Sequence, residues 1–157
     1  MAGIAYLIRH AKAGDRDAWE QPDALRPLSR PGERQADAIA DQFGDEPIAR
    51  VHSSPAVRCV QTVHPLAVRL GLPVREEELL QEGGGPSGAY QLARSAADDS
   101  AVVLCSHGDV IWELLRDLEE AGVPLSRGMP AKKGSTWRLE VRNGAIVRGT
   151  YLPPPTA

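Results

Sequence analysis

The stretch Ile4–Gly14, "IAYLIRHAKAG", passes in one step from five apolar residues to an arginine, a histidine and a lysine. A short apolar run without alternation is how a strand covered on both faces reads, because a strand with one wet face alternates apolar and polar side chains. A second such run, Ala101–Cys105 "AVVLC", is followed by Ser106, His107 and Gly108. Together the two runs predict the central strands of a mostly parallel sheet, each with a histidine just past its carboxyl end.

Working outward, apolar residues recur at helical spacing in Ala36, Ile39, Ala40 and Phe43, then in Val60, Val63, Ala67 and Leu70. Two further sets follow, Ala89, Leu92, Ala93 and Ala96, then Ile111, Leu114, Leu115 and Leu118. Each set makes one buried stripe on a helix. "ARVHS" at Ala49–Ser53 and "PVRE" at Pro73–Glu76 fill the remaining strand slots, so strands and helices alternate. The end of the chain differs: Trp137, Leu139 and Val141 alternate with Arg138, Glu140 and Arg142, and Asn143-Gly144 then leads into "AIVRGTYL", the signature of a hairpin. The expected fold is α/β, a three-layer α/β/α sandwich with a mostly parallel central sheet and an antiparallel C-terminal edge hairpin. Trp112 and Trp137 are expected to pack in its core or along its edge.

A chain of 157 residues is most simply one domain, expected over 1–152, with "PPPTA" at 153–157 a disordered tail. The formal net charge of −3, with both signs mixed along the chain, gives no reason to expect a nucleic-acid polymer or an anionic membrane as partner. Two cysteines, Cys59 and Cys105, have neither the number nor the spacing of a disulfide scaffold or structural zinc site, so a reduced, cytoplasmic protein is expected. The run Ile4–Ile8 is too short for a membrane span and lacks the basic segment of a signal peptide. Cys105 and His107 share a strand face, but two ligands are too few for a metal site, and neither metal nor cofactor is expected.

In open α/β sheets ligands gather beyond the carboxyl ends of the strands. Arg9-His10 and Ser106-His107-Gly108 both stand there, and so does "HSSPAVRCVQT" (His52–Thr62), in which Ser54 is expected to cap a helix, Pro55 to open it and Arg58 to lie in its first turn. Two arginines, two histidines and a helix N-terminus on one spot suit a tetrahedral dianion, since guanidinium forks and free N–H groups complement phosphoryl oxygens. Taken singly each residue is most simply structural or on the surface; their joint position at strand ends makes phosphate the expected ligand.

"LIRHAKAG", "SSPAVRCVQT", "LLQEG" and "LCSHGDV" stand in the order and spacing of the histidine phosphatase superfamily, the phosphoglycerate-mutase-like branch 1, which the chain resembles from Ile4 to about Tyr151. "RPLSRPGERQADAIA" and the compact length are similar to the small SixA-type phosphohistidine phosphatases. The ending "KKGSTW…NG" is similar to the phosphatase domain that follows a Nudix domain in some actinobacterial hydrolases. The resemblance implies that His10 is a nucleophile, transiently phosphorylated, with Arg9, Arg58 and His107 gripping the phosphoryl oxygens. It implies Glu82 as the acid that protonates the leaving group, in a pocket desolvated enough to raise its pKa, and a phosphate contact from the Gly108 N–H.

The family's usual glycine after the nucleophile is Ala11 here, which would cost about 1 kcal/mol or more if the backbone there needed a positive φ. Arg26, Lys132 and Lys133 are candidates for an outer basic rim, with Lys12 and Arg16 beside them; surface charge is the plainer reading of the lysines. The expected activity is hydrolysis of a phosphomonoester or phosphoramidate, without metal, on a phosphohistidine protein, a nucleotide or a small metabolite. A mutase would be expected to carry long insertions over the pocket, and a non-catalytic phosphate- or phosphoprotein-binding module to lack His10 or Glu82.

Overall fold

A computed structural model describes residues 2–156. Six strands, β1 (Gly3–Arg9), β2 (Ile48–Ser53), β3 (Val74–Glu76), β4 (Ala101–Ser106), β5 (Thr136–Arg142) and β6 (Ala145–Leu152), form one sheet in the order β3-β2-β4-β1-β5-β6. Four helices lie on its faces: α1 (Arg30–Phe43), α2 (Val57–Leu70), α3 (Ser87–Arg94) and α4 (Gly108–Glu120). β1, β2, β3 and β4 are parallel, while β5 runs antiparallel to β1 and β6 to β5. The expected α/β sandwich is therefore present, with the hairpin supplying two strands and β6 the edge. Asn143 and Gly144 turn it with φ of 52° and 73°, as a two-residue hairpin of this hand requires.

The unbroken apolar runs are explained by two cores. From β1, Ala5 and Leu7 join Val102 and Leu104 of β4 under α3 and α4, while Tyr6 and Ile8 join Val103 and Cys105 under α1 and α2. Neither face is wet, so neither strand alternates. β1 and β4 are neighbours in register, Arg9 opposite Ser106, yet the helices that follow them lie on opposite faces. That divergence opens a crevice at their carboxyl ends, the position at which doubly wound sheets hold ligands.

α1 begins where its sequence says it should. The Ser29 side chain caps it, Oγ accepting from the Gly32 N–H at 3.2 Å, and Pro31 occupies the first turn. Gly32 serves a second purpose, because a Cβ there would stand 1.9 Å from the carbonyl oxygen of Lys12. The loop after His10 thus lies directly on the first turn of α1, fastened by Ser29 N–H and Oγ–H donating to that same carbonyl, each at 3.0 Å.

Two expectations are corrected, and one condition is not met. Ser54 does not cap α2: the helix starts at Val57 with Ala56 at the cap and no side-chain cap bond, and Ser54 is drawn instead to His107. Trp112 is 54% exposed, whereas Trp137 is buried as expected. Ala11 has no positive φ, so the strain its side chain would have caused there does not arise. Pro153–Thr156 carry no helix or strand, and Ala157, the last residue of the expected tail, lies outside the described residues. Among the described residues no helix is long and apolar enough to cross a membrane.

Candidate active site

His10 is the residue that leaves β1. Its N–H donates to the Ser106 carbonyl at 3.1 Å and its own carbonyl accepts from Gly134 N–H at 3.2 Å, which pins the backbone between β4 and the loop before β5. The ring is 5% exposed. Nδ1 lies 2.8 Å from the Ala11 carbonyl, and because a carbonyl can only accept, Nδ1 carries the hydrogen and Nε2 the lone pair. Burial lowers the His10 pKa to about 3; the Ala11 bond opposes that shift, and Arg58, His107 and Arg9 add to it. A neutral imidazole with one free nitrogen is the form a nucleophile needs.

His107 follows β4 and faces His10 edge-on, ring centroids 5.5 Å apart. Its Nδ1 lies 3.4 Å from Arg58 Nη2, which can only donate, so Nε2 carries the hydrogen and donates to Ser54 Oγ at 2.9 Å. Cys59 Sγ stands 3.6 Å from the same nitrogen. Ser54 thus orients a histidine rather than starting a helix.

Arg58, in the first turn of α2, is 1% exposed. Nη1 donates to the Asp23 carbonyl at 2.9 Å, and Nη2 lies 3.0 Å from Asp23 Oδ2 and 3.7 Å from Glu82 Oε1. Arg9 reaches across the crevice, Nη1 donating to the Ala131 carbonyl at 2.7 Å. Its guanidinium lies against Gly108, where a Cβ would fall 2.9 Å from Arg9 Cζ, so only glycine lets the arginine lie at the N-terminus of α4. Burial lowers the Arg9 pKa, with Asp109 and Glu82 opposing. Arg9 Nε and Arg58 Nε are buried with no hydrogen-bond partner among the described residues. Buried donors are seldom left unpaired, and with neither atom open to solvent an oxyanion reaches them only if the side chains turn.

These groups surround a cavity of about 390 Å3, whose wall includes Arg9, His10, Arg16, Arg26, Glu82, Gly108, Trp112 and Lys133. A smaller cavity of about 230 Å3 adjoins it at Glu82 and contains Arg58 and His107. A larger cavity, about 670 Å3, lies between α3, α4 and β6 and contains none of the candidate residues; size does not mark the chemistry here, the convergence of buried donors does. Arg26 is buried rather than on the rim, its Nη1 donating to the Gly14 carbonyl at 2.6 Å and its Nε to Asp23 at 3.1 Å. Lys133 lines the pocket, and burial lowers its pKa, as do Arg9, Arg26, Arg16 and Lys12. Lys132 is exposed and not on the pocket wall; its carbonyl closes the turn to Ser135. Among the described residues no three His, Cys, Asp or Glu side chains cluster as metal ligands.

Glu82 sits at the junction of the two cavities, but 46% exposed and paired with Arg16 at 3.3 Å, not in the desolvated setting expected of it. Its loop is fastened by Gly83 N–H donating to Asp109 Oδ2 at 2.8 Å. Sequence reasoning missed Asp23, whose carboxylate faces Arg16, Arg26 and Arg58 at once, and Trp112. Pro22-Asp23 is a turn signal in front of the arginines it serves, and Trp112 lies one residue, about 100° of helix, off the apolar stripe at Ile111.

Comparison with known proteins gives the family and the fold. Residues 5–87, 83 of the 157, match the model of the histidine phosphatase superfamily, branch 1. The 8-oxo-(d)GTP phosphatase of Mycolicibacterium smegmatis is 31% identical over 153 residues, covering 95% of this chain and 48% of that protein, so the chain spans about half the length of the curated relative it matches. The fold is that of the protein histidine phosphatase SixA complexed with tungstate (TM-score 0.73, 19% identity, 98% of this chain and 96% of that one). It is also that of mycobacterial glucosyl-3-phosphoglycerate phosphatase (TM-score 0.67, 20% identity, all of both chains).

Proposed function

Because the chain belongs to branch 1 of the histidine phosphatase superfamily, we propose that residues 1–152 are one catalytic domain and that it hydrolyses a phosphomonoester or phosphoramidate, without metal, through a phosphohistidine at His10. The observation that carries this reading is the His10 ring: neutral by burial, its Nδ1–H held by the Ala11 carbonyl, its Nε2 left for the pocket. The family match and its phosphatase-named relatives support the same class of reaction.

In the first step the Nε2 lone pair attacks phosphorus in line, an N–P bond forms, and the bond to the leaving-group oxygen or nitrogen breaks, with Glu82 giving that atom a proton. Arg9 and Arg58 hold the equatorial oxygens, where charge builds in a metaphosphate-like transition state, and His107 joins them when its Nε2–H turns from Ser54 Oγ to the bound anion. Donors already fixed in a buried cradle do not have to reorganise as that charge develops. In the second step water gives its proton to the Glu82 carboxylate and attacks phosphorus; the N–P bond breaks and orthophosphate leaves. The Gly108 N–H and the start of α4 favour the bound anion. Glu82 reaches both roles from its place between the two cavities, and substrate bound over it supplies the dry surroundings it lacks when the pocket is open.

The relatives are named for three different substrates, and a phosphohistidine protein, a nucleotide and a sugar phosphate all present the same terminal group. A phosphate-release panel over these three, run in EDTA, tests the class and ranks them. Release that continues in EDTA and falls on the order of 10³-fold or more in His10→Ala is expected. Release that survives the substitution, or that needs added metal, contradicts it.

A further inference from the structure

Asp15, Glu82 and Asp109 put three carboxylates on the wall of the phosphate cavity, where each opposes the binding of an anion by repulsion. Glu82 has the proton transfers to perform, and Asp15 closes its own turn, Oδ1 accepting from the Asp17 N–H at 2.9 Å. Asp109 has neither duty. The dipole of α4 favours a carboxylate in its first turn, yet neither oxygen bonds the helix. Oδ2 accepts from the Gly83 N–H at 2.8 Å, and Oδ1 is buried with no hydrogen-bond partner among the described residues. Arg9 is the cation that feels it most: burial lowers the Arg9 pKa, and the Asp109 charge is the largest influence opposing that shift.

What Asp109 holds is the segment that carries the acid. Glu82 is followed by Gly83, Gly84 and Gly85, with φ of 79° at Gly83 and 78° at Gly85, and a glycine run has no side chains with which to fix itself. It is fastened from outside. Before Glu82, the buried Leu80 accepts at its carbonyl from Ser106 Oγ–H at 2.6 Å; after it, Gly83 donates to Asp109. Ser106 and Asp109 bracket His107-Gly108, so the acid is tied on both sides to residues 106–109, the segment that also supplies His107 and the Gly108 N–H. The tie at Gly83 is the one adjacent to Glu82, and a single carboxylate oxygen makes it. We propose, resting on the phosphatase reading above, that Asp109 is a positioning residue: through Oδ2 it holds the Glu82 carboxyl beside the leaving-group atom, so that its loss falls on substrates whose leaving group needs a proton.

The test measures kcat/KM for glycerol phosphate, whose alkoxide needs a proton to leave, and for 4-nitrophenyl phosphate, which leaves as a phenolate without one. That ratio is the readout because it reports the steps up to departure of the leaving group, not the hydrolysis of the phosphoenzyme that both substrates share. Asp109→Ala is expected to lower it about ten- to a hundredfold more for glycerol phosphate than for 4-nitrophenyl phosphate, part of what a positioned acid supplies. Asp109→Asn, whose side-chain oxygen can still accept from Gly83, should recover most of the difference. In a Glu82→Gln background Asp109→Ala should add no further selective loss. Hydrogen exchange of segment 81–86, read without turnover, should speed up in Asp109→Ala and not in Asp109→Asn. Equal losses on the two substrates, selective losses that multiply with those of Glu82→Gln, or unchanged exchange would overturn the proposal. A selective loss in Glu82→Gln with none in Asp109→Ala overturns it alone; no selective loss in Glu82→Gln removes the acid assigned above, and the proposal with it. Turnover surviving in His10→Ala contradicts only the phosphohistidine, because the leaving-group comparison does not depend on which group takes the phosphoryl.

Discussion

His10 and Asp23 mark what single residues decide. Burial and the neighbouring cations hold the His10 pKa at about 3, against 6.5 for a free histidine. The ring is therefore expected to stay neutral in the free protein from pH 8 down to about pH 5, and NMR of its ring signals checks this; a midpoint between 6 and 7 contradicts it. The acid limb of kcat/KM must then belong to another group. Asp23 is the carboxylate against which Arg58 and Arg26 are aimed. Asp23→Ala leaves the buried Arg58 guanidinium with the backbone carbonyl at position 23 but without the carboxylate that fixes Nη2, and a misplaced oxyanion donor costs about ten- to a hundredfold in kcat/KM; steady-state kinetics on any accepted substrate would show it.

At the scale of elements, the first turn of α1 is the joint on which the loop after His10 rests. Gly32→Ala gains up to about 1 kcal/mol in helix propensity, but its Cβ would lie 1.9 Å from a backbone oxygen, and overpacking of that kind costs about 1–3 kcal/mol. The clash is expected to win. Urea denaturation should show a net loss of stability, and KM should rise as the Ala13–Gly14 wall shifts; a stabilised variant with unchanged KM would contradict the account. The strands and helices themselves were legible, because each buried stripe fell at its own period. The start of α2 was not. Ser54 has the side chain of a cap, and what it bonds was decided by His107, 53 residues away, a competition that local sequence does not record. For Glu82 the motif could be read but the surroundings could not: exposure to solvent and to two arginines is set by how a glycine loop packs against Asp109.

For the molecule as a whole, the sheet brings two strand ends into register and sends their helices to opposite faces, and the site is the opening this creates. The unbroken apolar runs of β1 and β4 made that arrangement readable, and with it the positions of His10 and His107; Trp112 was misjudged because its helical phase was not weighed against its size. Holding a histidine neutral inside the fold also has a cost in acid. Between pH 6.5 and about 3 the unfolded chain takes up a proton at residue 10 that the folded one refuses, so stability falls as pH drops through that window. His52, whose pKa burial also lowers, contributes in the same direction. The Tm is expected to drop from pH 7 to pH 4.5 and to drop less in His10→Asn, as calorimetry at the two pH values would show. The central claim is a covalent bond, and its most direct test is to quench the wild-type protein during turnover in alkali, which preserves phosphohistidine, and to locate the added phosphoryl group by peptide mass spectrometry. A single phosphoryl group on His10, absent from His10→Ala, is the predicted result; a phosphoryl group on another residue, or none during active turnover, would contradict the account.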